Sequence, residues 1–505
     1  MRPAESGRRR RSTSDIVQQP WMALRNASRP SVLISDDEVV SLHHAALTIL
    51  EDIGIRCPVV EAQQLLAKAG AKVDETGLIK LGRDIVAEAL KTVPSEFTLT
   101  PRNEAHAVRV GGTAFTTTAM MGSPACTDLV RGRRSGTLND MCELFKLTQF
   151  FNIVQMNGWP VEPLDVEVRH RHLESAFAML TLTDKVPNTF CQNNQRIEDV
   201  LTLCAMARSE TLEEFGQRPG VFSIINTNTP LQYDVPMAIG VMEMARHGQP
   251  TLITPFVLAG ASTPATMASA MAMTHAEVLF GMALAQLVRK GAPVVYGCAS
   301  LNVDMRTGAP AYGMADLMRG HIIAGQLARF CNMPLRTSNF SSSNIPDFAS
   351  GYESVQAVQS SLAARTSLLM HAAGWVEGGL CCSYEKFVLD CEILQSAAYT
   401  IQPVVVNGDT LALDEIRSVG PGGHFFGSER TLATVETAFY RPMISITQNH
   451  GAWIEAGGRD AAQRASAIWQ RALAIYEEPA MEPARKEQLR DFVQRRIAEG
   501  GAPLD

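Results

Sequence analysis

The stretch Pro293-Val294-Val295-Tyr296-Gly297-Cys298-Ala299-Ser300 contains the pattern that decides the fold. A short apolar run with β-branched residues ends in small, polar or aromatic residues. Similar stretches recur roughly every 30 to 42 residues, as strands separated by helices do. They cover residues 152–157, 189–194, 221–229, 251–262, 293–300, 335–343 and 368–379, and a weaker eighth lies near 403–406.

This repetition predicts a closed parallel sheet. A strand that is buried on both faces reads as a near-continuous apolar run, as these stretches do. About eight βα units over roughly 250 residues match the size of a (β/α)8 TIM barrel. The carboxyl ends of the strands form the active site in that fold, so the polar and aromatic residues that end each stretch are expected to line one cavity.

The chain has 505 residues, which is more than one barrel requires. We predict a disordered basic arm at 1–30, an N-terminal helical and β cap at 31–150, the barrel at 151–410 and a C-terminal loop and helical extension at 411–505. Within the cap, Ser35 is a suitable N-cap for a helix that Gly54 ends. A long helix is expected to start at Thr263-Pro264, and another covers 460–478.

Composition and charge exclude several classes of protein. The net charge of −7 provides no general attraction to nucleic acid or to acidic membranes. No apolar run appears long enough to span a membrane. No apolar segment follows the basic run Arg8-Arg9-Arg10-Arg11, so a secretory signal is not expected. That run is either a solvated tail or a contact for nucleic acid. Ten scattered cysteines without a C-x-x-C pair favour free thiols in the cytoplasm.

The residues at the predicted strand ends are mostly neutral. A phosphate site would need basic residues or a glycine-rich helix start, and a divalent metal would need several carboxylates or histidines. The sequence therefore predicts no bound metal in this chain. Aromatic rings with a few hydrogen-bond acceptors suit a bulky organic cation instead. The alternative is that these rings belong to the barrel core. Side chains two positions apart on a strand share a face, which pairs Asn226 with Asn228 and Trp375 with Glu377.

Few groups are candidates for acid–base or electrostatic roles. Glu277 lies in an otherwise apolar helix, where a carboxylate is either paired or functional. Glu377 lies in a glycine-rich stretch, and the alternative for both is a structural salt bridge. His371 and His275 can equally be buried structural histidines. His424 lies in the turn Gly420-Pro421-Gly422-Gly423-His424-Phe425, which either closes over the cavity or only joins two elements.

Several segments together resemble the trimethylamine methyltransferase family. They run in the family's order along most of the chain, from about residue 35 to 480. Each is weakly specific alone, but the ordered set is specific. They are residues 47–55, the segment 276–297, Gly351-Tyr352-Glu353, the segment 371–379 and Gly420-Pro421-Gly422-Gly423-His424-Phe425.

The resemblance implies a (β/α)8 barrel that transfers a methyl group from a methylated amine to the cobalt of a separate corrinoid protein. Founding members of the family carry pyrrolysine in the barrel, whereas this chain has standard residues in the matching region, 341–347. Members without pyrrolysine resemble quaternary-amine methyltransferases such as the glycine betaine enzymes. No corrinoid-binding D-x-H-x-x-G stretch occurs here, so the cobalamin is expected on a partner protein.

The chemistry of a quaternary amine is consistent with a neutral site. Its leaving group is already a neutral amine, so no proton needs to be delivered, and positioning for in-line transfer matters most. The positive charge on nitrogen disappears in the transition state, so a strong anionic contact would stabilise the ground state instead. We predict a cytoplasmic, homo-oligomeric quaternary-amine:corrinoid methyltransferase. If the substrate carries a carboxylate, backbone NH groups, Asn or His are expected to bind it.

The predicted site residues fall into two groups. The electrostatic or orienting residues are Glu277, Glu377 and His371. The predicted substrate contacts are Trp375, Tyr296, Phe340, Phe256, Asn193, Asn226, Asn228, Asn157, Tyr352 and His424.

Three alternatives to this function remain open from the sequence. The substrate can be trimethylamine or another methylamine. The chain can be a protein that binds quaternary amines without turning them over. It can also be a Schiff-base enzyme that uses Lys386 or Lys290, although both lysines are expected on the surface.

Overall fold

A computed structural model describes residues 16–299 and 301–503. The arginine run at 8–11 therefore lies outside the described residues. Residues 16–30 of the predicted disordered arm include a strand, which corrects the expectation for this segment. Leu24 is buried, and Leu24–Arg25 forms a short strand that pairs antiparallel with residues 114–115. Burial of Leu24 and the backbone pairing explain why this segment is not a free tail.

The N-terminal region combines helices with small antiparallel sheets. Ser35 and Glu38 form a capping box at the first helix, as the sequence predicts, and the chain turns at Gly54 with φ 90° after a π-helical turn at Ile49–Ile53. The elements are β1 Leu24–Arg25, α1 Asp36–Thr48, β2 Ile55–Arg56, α2 Val60–Lys68, β3 Lys72–Val73, β4 Leu78–Lys80, α3 Arg83–Leu90, β5 Glu96–Leu99 and β6 Val108–Gly111.

The central part of the chain alternates strands with helices. Its first half contains β7 Ala114–Ala119, β8 Ala125–Thr127, β9 Arg134–Ser135, α4 Leu138–Phe150, α5 Val168–Leu182, α6 Asn194–Ala207, α7 Leu212–Phe215, β10 Ser223–Ile225, α8 Val235–Arg246, β11 Thr251–Ile253, β12 Leu258–Ala259 and α9 Met267–Val288. Its second half contains β13 Val294–Gly297, β14 Leu301–Asn302, α10 Ala315–Phe330, β15 Leu335–Ser338, α11 Phe348–Ala364, β16 Leu368–Ala373, β17 Trp375–Val376, β18 Cys381–Ser383 and α12 Tyr384–Thr400.

The main sheet has seven strands in the order β1-β7-β16-β15-β13-β11-β10. All of its pairings are parallel except the one between β1 and β7. Single parallel bridges continue from β7 to residues 156 and 186, and another joins residue 188 to Phe222 next to β10. The fold is therefore of the α/β class with mixed sheets, and the strands of the main sheet do not close into a barrel within the described residues.

Three of the predicted strands are absent from the described residues, and one strand was missed. Residues 189–194 form no strand, and α6 begins at Asn194. Residues 152–157 contain a single bridge at Met156 instead of a strand, and Val404 is 87% exposed in a segment without regular structure. The parallel strand that the sequence pattern did not predict is β7. Because β7 precedes residue 151, the predicted domain boundary at that residue cuts through the main sheet. Its sequence Ala114-Phe115-Thr116-Thr117-Thr118-Ala119 has few large aliphatic residues, although all six residues are buried.

Helix α9 is the central helix of the core. It starts at Met267 with Thr266 as the N-cap, three residues later than the start expected at Thr263-Pro264. It is also long and apolar enough to cross a membrane by length and composition, which corrects the expectation that no such run exists. In this structure 83% of the most apolar 18-residue segment of α9 is buried inside the protein. Helices α1, α2 and α3 pack against it, so the N-terminal region covers the side of the sheet rather than an end.

The C-terminal extension is helical, as the sequence predicts. It contains α13 Gly408–Leu411, α14 Leu413–Val419, α15 Glu429–Thr434, α16 His450–Glu455, α17 Ala461–Ala474 and α18 Pro483–Ala498. Helix α17 packs against α12, and α18 packs against α5 and α6. By contrast, the segment between α12 and α17 is largely exposed.

Candidate functional site

A cavity of about 640 Å³ opens at the carboxyl ends of the parallel strands. Its volume is typical of a small-molecule site. Side chains from the ends of several strands converge there because parallel strands all point to the same edge. It is lined by Met121, Gly122, Pro124, Phe190, Cys191, Gln192, Ile224, Asn226, Thr227, Asn228, Asp234, Met237, Phe256, Ala299, Tyr312, Arg336, Phe340, His371, Trp375, Gly378, Gly379 and Leu380.

Four aromatic rings form one cluster in this cavity, which we call the aromatic cluster: Phe256, Tyr312, Phe340 and Trp375. The ring of Tyr312 lies 5.1 Å from that of Phe340, 5.9 Å from that of Trp375 and 6.0 Å from that of Phe256. The rings of Phe340 and Trp375 are 4.7 Å apart. Such a set of π faces around a cavity can stabilise a desolvated organic cation by about 2 kcal/mol or more.

The orientation of Trp375 is held by contacts on two sides. Its Nε1 donates a hydrogen bond to the Ser341 carbonyl at 3.0 Å. Gly379 has φ +92°, and a Cβ at that position would lie 2.4 Å from Cζ2 of the indole. Because no larger residue fits there, the glycine is needed for the backbone to approach the ring closely.

Arg336 lies on β15 and is one of the residues that line the cavity, although it is only 1% exposed. Its Nη2 lies 3.4 Å from His371 Nδ1, while Nε and Nη1 have no hydrogen-bond partner among the described residues. Burial lowers the pKa of Arg336 to about 9. No ion pair of Arg336 with a carboxylate occurs in the described part of the chain. A buried cation of this kind is costly unless an anion joins it.

His371 connects Arg336 with the aromatic cluster. Its ring stacks on Phe340 at 5.4 Å and meets the Trp375 ring edge-on at 4.8 Å. Nδ1 also lies 3.2 Å from Ser338 Oγ. Burial, and then the charge of Arg336, lower the pKa of His371 well below its usual value. Because a guanidinium can only donate, Nδ1 of His371 acts as the acceptor in its contact with Arg336.

Glu277 lies behind the cavity instead of in it. Its carboxylate accepts hydrogen bonds from Thr227 Oγ1, from Thr229 Oγ1 at 2.8 Å and from the Leu231 backbone NH at 2.8 Å. Burial raises the pKa of Glu277. The salt bridge considered from the sequence does not form in the described residues, and Glu277 instead holds the loop that follows β10. Since Thr227 lines the cavity, Glu277 acts on the cavity through that loop.

Glu377 does form a salt bridge, the structural alternative to a role in the site. Both of its carboxylate oxygens lie 3.0 Å from Arg133 Nε. The next two residues, Gly378 and Gly379, line the cavity, but Glu377 itself does not. This arrangement fixes the loop that carries the two glycines. A direct catalytic contact from Glu377 is therefore not supported.

Five of the predicted substrate contacts do not line the cavity. Tyr296 is fully buried and meets His275, and Asn157 is buried against the carbonyls of residues 185 and 186. Asn193 caps α6. Tyr352 is 52% exposed. His424 is exposed on the segment between α12 and α17.

Asn226 and Asn228 do line the cavity, together with Asp234. Asn228 Oδ1 accepts from the backbone NH of Asp234, and Asp234 caps α8 by accepting from the Met237 NH at 2.9 Å. The carboxylate is thus engaged by a helix N-terminus at the rim. Both asparagines are exposed, so they lie at the mouth of the cavity.

Sequence reasoning missed Arg336 and Tyr312. A signal for Arg336 was present, since a single arginine within Leu335-Arg336-Thr337-Ser338 is unusual for a buried strand. It shares a strand face with Ser338 by the alternation of side chains. Tyr312 offered no such signal, because it lies in the long connection between β14 and α10 and reaches the cavity only through the path of that loop.

The two lysines considered for Schiff-base chemistry do not line the cavity. Lys290 is exposed, as expected. The expectation of a surface position is wrong for Lys386, which is 1% exposed. Its Nζ contacts Asp390 Oδ1 at 2.5 Å and Ser354 Oγ at 2.6 Å. This pairing holds the amine away from the cavity.

The chain is similar to known proteins in sequence and in fold. A profile of the family described as trimethylamine methyltransferase (MTTB) matches residues 2–501. The chain is 32% identical over 473 residues to glycine betaine methyltransferase from Desulfitobacterium hafniense, a match that covers 93% of this chain and 98% of that protein. It is 26% identical over 455 residues to trimethylamine methyltransferase MttB of the same species, covering 89% and 90%.

Among solved structures, the fold is similar to that in the crystal structure of the hydroxylamine MtmB complex, with a TM-score of 0.50 and 10% sequence identity. The match covers 91% of this chain and 88% of that chain. At this level of identity, the similarity concerns the fold.

Proposed function

Since the chain belongs to the trimethylamine methyltransferase family, we propose that it transfers a methyl group from a quaternary amine with a carboxylate to the Co(I) of a separate corrinoid protein. The relatives described above are named as methyltransferases. Glycine betaine, the substrate in the name of one relative, is the first candidate for the amine.

The observation that carries this proposal is Arg336 beside the aromatic cluster. The buried guanidinium has no anionic partner among the described residues. His371 contacts it on one side and the rings of Phe340 and Trp375 on the other. A betaine has a cationic and an anionic end separated by a few bonds, and it matches both features at once. A carboxylate can accept two parallel hydrogen bonds from a guanidinium. A cation without a carboxylate would instead be placed near an unpaired positive charge, which disfavours it.

The proposed roles follow from this orientation. Arg336 binds the carboxylate, and Phe340, Trp375 and Tyr312 surround the trimethylammonium group. In the reaction the bond between the methyl carbon and nitrogen breaks, nitrogen keeps the electron pair as a neutral tertiary amine, and the corrinoid supplies the nucleophile that accepts the methyl. Holding the ammonium group in one orientation converts the transfer into a positioned in-line reaction. The neutral rings do not stabilise the ground-state cation as strongly as a carboxylate would.

A closed (β/α)8 barrel is part of the same proposal. The isolated parallel bridges from Thr118 to Met156, from Met156 to Val186 and from Asn188 to Phe222 support it. These bridges lie between β7 and β10, and with them the parallel segments number eight, with helices between them. On this interpretation the barrel covers residues 114–400, with β7 as its first strand.

We also propose a homo-oligomer in the cytoplasm. The segment between α12 and α17 exposes large apolar side chains, including Val404, Phe426 and Phe439, which are 87%, 83% and 82% exposed. Exposed apolar surface of this extent is typical of a protein interface. The burial of α9 in the core supports a protein that is not inserted in a membrane. Light scattering on the purified chain tests the oligomer directly.

Methyl transfer to cobalt tests the central proposal. The purified protein is mixed with a corrinoid protein, or with free cobalamin, reduced to Co(I), and with a panel of amines. The formation of methylcobalamin is followed by its absorption. We expect transfer from glycine betaine or another betaine, weaker transfer from choline and tetramethylammonium, and none from trimethylamine. Transfer from trimethylamine alone would overturn the proposal, and tight betaine binding without transfer to any corrinoid would favour a binding protein.

A further inference from the structure

A second cluster of chemically reactive side chains lies between the N-terminal cap and the central helices. It consists of His43 on α1, His275 on α9 and Cys331 at the C-cap of α10. His275 and Cys331 are buried, whereas His43 is partly exposed. Their ligand atoms all lie within 4.8 Å of one another. None of the three lines the cavity described above.

The distances within this cluster are close to those of a metal site. His43 Nδ1 is 2.9 Å from His275 Nε2, and Cys331 Sγ is 4.0 Å from the same nitrogen. Zinc bonds of about 2.0 to 2.3 Å at tetrahedral angles place ligand atoms roughly 3.3 to 3.8 Å apart. The observed separations lie on both sides of that range, so side-chain shifts of about 1 Å or less bring the three donors to one ion.

The environment of His275 favours its use as a ligand. Its other ring nitrogen, Nδ1, lies 3.1 Å from the hydroxyl of Tyr296. A ligating histidine normally has its second nitrogen hydrogen-bonded, which fixes the ring and its tautomer. When Nδ1 donates to Tyr296, the lone pair of Nε2 points toward His43 and Cys331. The ring of Phe330 lies 5.0 Å from that of His43 and covers part of the cluster.

We propose that His43, His275 and Cys331 bind a zinc ion that links the N-terminal cap to helices α9 and α10. Two imidazoles and one thiolate are ligands that suit zinc better than magnesium or calcium. Solvent can supply a fourth ligand, because His43 is partly exposed. The site has a structural role, since its three donors come from three different helices and hold them together.

The full-length protein tests the proposal. It is produced in zinc-supplemented medium, desalted, and analysed for metal content as wild type, His43→Ala, Cys331→Ser and the matched control Cys142→Ser. Cys142 is a partly buried cysteine on α4, away from the cluster. We expect about one zinc per chain in the wild type and the control, and a loss of most of it in the other two variants.

Replacement by Co(II) provides a spectroscopic readout that does not depend on stability. The wild type is expected to show a sulfur-to-cobalt charge-transfer band in the near ultraviolet, which disappears in Cys331→Ser even when that variant keeps native circular dichroism. Chelation of the metal from the wild type is expected to lower the midpoint of thermal unfolding, and the Cys331→Ser midpoint should not respond to the chelator. A wild type without zinc after loading, or a charge-transfer band that survives Cys331→Ser, would overturn the proposal and leave a hydrogen-bonded core cluster.

Discussion

Replacement of Arg336 by methionine tests the proposed function most directly. Methionine keeps a similar length and removes only the guanidinium, whose Nε and Nη1 are free of protein partners in the described residues. Each hydrogen bond to a charged group contributes about 1.5 to 3 kcal/mol. A carboxylate bound by two such bonds therefore loses about 3 to 6 kcal/mol, and solvent screening is small because Arg336 is 1% exposed.

This loss corresponds to a decrease in kcat/KM for glycine betaine of about 10²- to 10⁴-fold, at 1.36 kcal/mol for each factor of ten. The assay is the rate of methylcobalamin formation over a range of betaine concentrations. The matched control is Arg329→Met, which removes an exposed arginine on α10 that donates to the Ala364 carbonyl at 2.8 Å and does not line the cavity. This control is expected to retain its activity toward glycine betaine.

The choice of substrate distinguishes loss of the carboxylate contact from general damage. Activity toward tetramethylammonium or choline should not fall in Arg336→Met, and it should rise if the buried charge repels a simple cation. The folded variant is expected to be at least as stable as the wild type, because an unpaired buried charge is removed. The reasoning would be refuted by a folded Arg336→Met enzyme with unchanged kcat/KM for glycine betaine, or by an equal loss for all amines.

Further changes test the other contacts of the site. Trp375→Leu should raise KM for the amine by roughly 5- to 30-fold through the loss of about 1 to 2 kcal/mol of cation–π attraction, with Tyr312→Phe as a ring-preserving control that keeps wild-type KM in the same assay. Gly379→Ala should displace the indole of Trp375, because its Cβ would lie 2.4 Å from Cζ2, and a changed tryptophan fluorescence with a raised KM would show this. Glu277→Gln should remove a pH dependence of stability. Burial raises the pKa of Glu277 in the folded state, so its contribution is present below the usual pKa of glutamate and is lost as pH rises through the raised value. Urea unfolding from pH 4 to 8 should therefore show a free energy of unfolding that falls more with pH in the wild type than in the variant, and parallel curves would contradict this.

Local patterns predicted several elements well because they depend on neighbours in the chain. The capping box at Ser35 and Glu38 formed as expected. Strand β13 was visible as an apolar run, and the rings of Phe340 and Trp375 at the strand ends do line the cavity. The apolar pattern failed to predict strands where the size of the apolar side chains does not follow burial. Strand β7 is fully buried but rich in threonine, and Val404 to Val406 are apolar but exposed.

What the sequence by itself determined is the α/β class, the helical elements, the family and the aromatic character of the cavity, because periodicity and residue type are properties of single segments. Only the tertiary structure decided which side chains meet. Tyr296 and Phe340 both lie in stretches predicted to end at the cavity, yet Tyr296 meets His275 while Phe340 lines the cavity. Arg336 is a candidate carboxylate contact because no anionic partner lies near it among the described residues. Those surroundings result from the packing of separate βα units, which the local sequence does not determine.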